Sequence, residues 1–192
     1  MVDTIHFRER WNSYLTVRKG QNSIALFLLL FFFVFNALSV QGRAETPDEN
    51  NHFGYGRNIL NGDSTRFDDS KMPFSAWNAL PTNIAEIVPL PDGLLKSFLL
   101  KLITARLMTT LFSLFIAYKI FDWSRELYGF VPALISLGLY VLDPNIIAHS
   151  QLVTTDIYAA GMVLFSSYWL WKFANTRKWL DGLFLAFMLG LA

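Results

Sequence analysis

Apolar positions along this chain fall in long unbroken runs instead of the spaced stripes of a soluble helix. Ile24–Val40 (IALFLLLFFFVFNALSV) is long enough to cross a bilayer at the helical rise. A cleaved signal peptide is the competing reading. Its apolar part is normally shorter and its basic leader briefer, so an uncleaved anchor is expected. The same pattern predicts further spans at Ile103–Phe121, Phe130–Ile147 and Tyr158–Phe173, and a fifth starting near Leu180. That last run is still apolar at Ala192, and a helix ending in hydrocarbon would leave its final carbonyls unpaired. The expectation is therefore an amino-terminal piece of something longer, inactive on its own. Residues 1–20 would be a cytoplasmic segment, and 21–192 a transmembrane domain interrupted in its fifth span. The expected fold is all-α: a polytopic transmembrane helix bundle, with interfacial helices in a long first outer loop. Trp77, Leu80, Ile84, Ile87 and Val88 make that loop apolar enough to lie on a bilayer surface.

Composition agrees. Of 192 residues, 53% are hydrophobic, 18 are Phe and only 16% are charged, well below the quarter or so usual in soluble domains. The net charge of +1 gives no field that would favour nucleic acid. With no cysteine, disulfides, thiolate metal sites and a cysteine nucleophile are excluded.

Lysine and arginine set the expected orientation. Arg8, Arg10, Arg18 and Lys19 precede the first span. The short loop expected around Asp122–Gly129 is flanked by Lys119 and contains Arg125, and Lys172, Arg177 and Lys178 follow the fourth span. Asp143–Asp156 contains no basic residue. The amino terminus is thus expected in the cytoplasm, with Gln41 to about Lys101 and Asp143–Asp156 facing outward together.

Those two segments carry the candidate chemistry. Asp48 and Glu49 follow Pro47, which suits a helix start where acids are favoured. Beside the membrane, however, a carboxylate is partly desolvated and becomes a better base. His149 and Asp156 lie seven residues apart, sharing a face if the helix is continuous. The other reading is that Thr154, Thr155 and Asp156 cap the fourth span. Arg106, near the outer end of the second span, is either a snorkelling arginine or a phosphate site. Asp68–Asp69, in a turn-rich stretch, read as solvated loop acids. No phosphate-cradling glycine loop, H-E-x-x-H or G-x-S-x-G is present.

Taken in order, Asp48-Glu49, His52-Phe53-Gly54, ILNGD (residues 59–63) and ARLMTTLF…HSQLVTTD resemble the membrane-embedded GT-C class of glycosyltransferases. Within it, the chain is most similar to the protein O-mannosyltransferase group and its bacterial relatives. The likeness covers about residues 20–192. One departure is KMPFSAWNALP, where the group has a His-Pro-Pro-Leu-Gly-Lys-like segment; only Pro73 keeps a trace of it. The resemblance implies a multi-pass lipid-phosphate hexosyltransferase with its active site on the outer face, in the plasma (inner) membrane if the source is a bacterium. Its donor would be a polyprenyl-phosphate-linked sugar, and its acceptor a protein or an envelope glycan or lipid. It implies Asp48 as base, Glu49 and His52 orienting the acceptor, and Arg106 supporting the departing phosphate. His149 and Asp156 join the substrate-binding set. Related enzymes differ in their need for a divalent metal, so the cofactor stays open. The alternative class is a transporter or structural subunit, against which the mid-spans are nearly free of ionisable residues.

Overall fold

In the computed structural model, backbone is described for residues 2–63, 73–89 and 91–191, and side chains within these from residue 20 onward. Asp68–Asp69 and the side chains of Arg8, Arg10, Arg18 and Lys19 lie outside the described residues. The described chain is all-α, with no strand. Helix α1 covers Val2–Ser39 and ends in a 3-10 turn, Val40–Gly42; α2 is Pro47–Leu60, α3 Phe74–Ile87 and α4 Leu94–Leu99. Then come α5 (Leu102–Tyr128), α6 (Phe130–Leu142), α7 (Pro144–His149), α8 (Asp156–Thr176) and α9 (Trp179–Leu191). Gly20–Gly42 and α5 are long and apolar enough to cross a membrane, and α6 and α9 are shorter apolar helices. The chain is an integral membrane helix bundle.

Three expectations change. The helix expected over Phe130–Ile147 breaks at Asp143, because Pro144 cannot continue it and the Asp143 carboxylate caps a new one. That carboxylate accepts the amides of Asn145 (2.8 Å) and Ile146 (3.0 Å). Residues 150–155 are not helical, so His149 and Asp156 do not share a continuous helix. The connection expected at 122–129 is instead the last two turns of α5. It closes at Gly129, whose φ of 87° is the left-handed conformation that a turn into α6 uses.

The packing is inverted relative to a soluble protein. α5 buries small and polar residues (Thr104, Ala105, Arg106, Thr109, Thr110, Ser113, Ala117) and exposes Phe115 and Tyr118. Helices in lipid gain no hydrophobic drive from facing each other, so close approach of small residues and internal hydrogen bonds hold them together. Phe32 of α1 packs with Ala117 and Phe121 of α5 and with Ala133, Leu137 and Val141 of α6. Phe112 and Ile116 of α5 meet Ile157, Tyr158 and Met162 of α8. Buried hydroxyls close on one another: Ser150 Oγ donates to Ser113 Oγ (2.7 Å), which pairs with Tyr140 Oη (2.8 Å).

The described parts of the first loop pack closely. α3 buries Ser75, Asn78, Ala79, Thr82, Asn83 and Ala85 against the protein and exposes Ile84 and Ile87, the arrangement of an interfacial helix. Trp77 Nε1 donates to the Met108 carbonyl (3.2 Å), and Thr82 and Thr104 both donate to that of Leu99 (2.9 and 3.1 Å). α2 lies on α3 so closely that a Cβ at Gly56 would stand 1.9 Å from the Ser75 carbonyl oxygen. Arg57–Glu86 (2.5 Å) and Asn83–Asn61 (3.0 Å) fasten the same pair of helices.

Candidate functional site

Glu49 and Arg106 are the centre of this end of the bundle. Glu49 is 0% exposed and Arg106 4%. The guanidinium grips the carboxylate with two bonds, Nε to Oε1 (2.8 Å) and Nη2 to Oε2 (2.7 Å). Its remaining N–H groups reach the backbone where α1 gives way to α2: Nη1 donates to the carbonyls of Val40 (3.5 Å) and Arg43 (3.1 Å), and Nη2 to that of Ala44 (2.9 Å). An arginine has five N–H donors, and all are engaged within the chain. Glu49 is equally occupied. Besides Arg106 it accepts the Thr46 amide (3.1 Å) and hydroxyl (3.2 Å), closing the capping box of α2, and the amide of Val153 (3.2 Å). Burial pushes the Glu49 carboxyl up. The hydrogen bonds from Arg106, Thr46 and Val153, with the Arg106 charge, outweigh it and hold the group below its ordinary 4.5.

This clamp joins distant parts of the sequence. Glu49 lies in the first loop, Arg106 in α5 and Val153 in the second connection. Arg43 adds a further tie, donating to the Ala148 carbonyl at 3.2 Å. Beneath it, Gln151 Nε2 donates to Asn36 Oδ1 (2.8 Å), pinning the 150–155 turn to α1; both side chains are buried. Segments 43–49 and 148–153 are thereby held together at one end of the bundle.

The site residues divide sharply. Asp48, beside Glu49 on the first turn of α2, is exposed, and its carboxylate has no hydrogen bond or ion pair among the described residues. His52 is half-buried, with Nδ1 3.4 Å from Ser75 Oγ. His149 Nδ1 pairs with Asp156 Oδ2 at 3.1 Å, both exposed, and Thr154 Oγ1 donates to the same oxygen at 3.2 Å. The expected proximity of His149 and Asp156 thus comes from the turn between α7 and α8, not from a shared helix face. Thr155 occupies the N-cap of α8 but makes no side-chain cap bond, so the capping reading of this segment does not hold for it. Arg106 neither snorkels to water nor keeps a donor for phosphate in this arrangement.

Asp48 is thus an exposed carboxylate on a helix start that a buried ion pair fixes. The sequence pattern of the dolichyl-phosphate-mannose-protein mannosyltransferases matches residues 97–192, half of the chain, including Arg106, His149 and Asp156. The chain belongs to this family. It is a membrane glycosyltransferase of the mannosyltransferase type. Comparison with curated proteins and with solved structures finds no match. The matched half contains α5 to α9 with Arg106 and Val153, whereas Asp48 and Glu49 precede it. The clamp therefore ties the first loop to the part that carries the family's pattern. Among the described residues no three His, Cys, Asp or Glu side chains come together as a metal cluster.

Sequence reasoning missed Arg43, Thr46, Val153 and the Asn36–Gln151 pair. A Thr-x-x-Glu spacing at Thr46 and Glu49 was a legible capping-box signal. Asn36 inside an apolar run was another, since an amide at membrane depth needs a partner.

Proposed function

We propose that the protein transfers mannose or a similar hexose from a polyprenyl-phosphate-linked donor to a hydroxyl of a protein or an envelope glycan or lipid. The reaction would take place on the outer face of a plasma membrane that the chain crosses several times. The observation that carries this reading is the clamp. By fixing 43–49 against 148–153, it presents Asp48 and the His149–Asp156 pair from the same end of the bundle. In the proposed reaction the acceptor oxygen attacks the anomeric carbon with inversion while the carbon–oxygen bond to phosphate breaks. Asp48 takes the hydroxyl proton. Glu49 and Arg106 act as positioning residues, holding Asp48 through the start of α2. His52, half-buried beside Ser75, and the exposed His149–Asp156 pair orient the substrates. An apolar groove of about 470 Å³, lined by Leu60, Phe74, Trp77, Leu80, Phe112 and Phe115, matches a prenyl chain in chemistry.

The test is transfer of labelled mannose from a polyprenyl-phosphate donor by the purified full-length gene product. Asp48→Asn keeps size and polarity but removes the proton acceptor, and general-base assistance typically contributes about 10²–10⁴-fold. A loss in kcat of that order is expected, with Asp92→Asn, on an exposed pair with Lys96, nearly silent. A wild-type rate for Asp48→Asn would remove the base from this position.

A further inference from the structure

A departing phosphate needs a cation, and the buried guanidinium of Arg106 has no donor left to offer it. Resting on the proposed transfer reaction, the geometry points to Arg43 as the residue that binds the phosphate of the lipid-linked substrate. Three observations carry it. First, Arg43 is held in place: its carbonyl accepts from Arg106 Nη1 at 3.1 Å, so the clamp itself fixes the residue. Second, its side chain is exposed and spends one N–H on the Ala148 carbonyl; among the described residues it has no other partner. Four of its five donors stay available. Third, no carboxylate neutralises it. Glu49 is taken by Arg106, Asp143 caps α7, Asp156 accepts from His149 and Thr154, and Glu45 accepts from Asn50 at 3.4 Å. Elsewhere Arg57, Lys96, Lys119 and Lys172 each lie against a carboxylate.

The Ala148 carbonyl, near the end of α7, accepts the Gln151 amide at 3.4 Å and takes the Arg43 bond on its second lone pair. That accounts for one donor and places the guanidinium one residue from His149. An arginine there, with its fork of N–H groups free, matches phosphate oxygens. Asp48 lies five residues further along the same clamped segment, so proton acceptor and phosphate site would come from one loop.

Binding is measured without acceptor or turnover, using farnesyl phosphate as probe on the purified protein in detergent. Arg43→Gln keeps an N–H for Ala148 and removes the charge. A charge-assisted phosphate contact predicts roughly a 10–100-fold rise in Kd. Arg43→Ala repeats the test should the glutamine variant not fold, and Arg43→Lys, which keeps the charge, recovers most of the affinity. Lys96→Gln, another cation of the first loop, binds like wild type. Displacement of the probe by inorganic phosphate would mean that phosphate alone is recognised; no displacement would mean that the phosphate must arrive on a lipid. Either supports the site. Unchanged Kd in a charge-removing variant, farnesol binding as tightly as farnesyl phosphate, or no recovery with lysine overturns it. Wild-type binding without any sugar transfer by the full-length gene product would instead refute the proposed function and leave Arg43 standing.

Discussion

Replacing Glu49 by Gln tests the clamp most directly. The amide keeps the shape of the carboxylate but leaves the Arg106 charge buried with only backbone carbonyls around it. Removing one partner of a buried ion pair costs about 3–5 kcal/mol. In a chain of this size that corresponds to a fall in Tm on the order of 10 °C. Replacing both partners by apolar residues of similar volume, Glu49→Leu with Arg106→Met, removes the stranded charge, and such replacements are often neutral for stability. The double variant is therefore expected to regain most of the Tm. It would not regain sugar transfer, because the carbonyls of Val40, Arg43 and Ala44 and the amide of Val153 lose the partners that hold the first loop. Thermal unfolding in detergent, read beside transfer of labelled mannose, separates the two effects. The pH dependence has a defined sign. Glu49 is held below its ordinary 4.5, so its contribution is complete above about pH 4.5 and is lost as pH falls through the lowered value. The Tm gap between wild type and Glu49→Gln should close over that acid range. An unchanged Tm for Glu49→Gln, or recovery of activity in the double variant, would refute the clamp as a positioning device.

Gly56→Ala should separate α2 from α3, since its Cβ would sit 1.9 Å from a backbone oxygen that cannot rotate away. Overpacking of this kind costs about 1–3 kcal/mol, and a Tm equal to wild type would show that the helices are not so close. The expected sidedness is open to cysteine labelling in a chain that has no cysteine of its own. Single cysteines at the exposed positions Glu45 and Asn145 should react with an impermeant reagent from outside intact cells, and one at Lys178 only after the membrane is opened. Gln151 is unsuitable for this because it is buried. Labelling of Lys178 in intact cells would reverse the orientation.

Long apolar runs fix helices in hydrocarbon because no other unit satisfies its backbone internally, so the all-α bundle and the positions of α1, α5, α8 and α9 were legible from the residues alone. The helix start at Pro47-Asp48-Glu49 was legible for the same local reason. The division of labour between neighbours was not. Asp48 and Glu49 are adjacent acids with similar chemistry in sequence; the turn of α2 leaves one in solvent and turns the other inward onto Arg106, fifty-seven residues away. Arg106 carried two readings, snorkelling or phosphate binding, and its five backbone and carboxylate partners replace both. His149 and Asp156 meet across the non-helical turn at 150–155 between α7 and α8, which hydrophobicity alone did not mark. Local sequence sets which segments are helical, through hydrogen bonds made within a few residues. The partner of a buried charge is chosen by packing among segments far apart in the chain, and that information exists only once the bundle has closed.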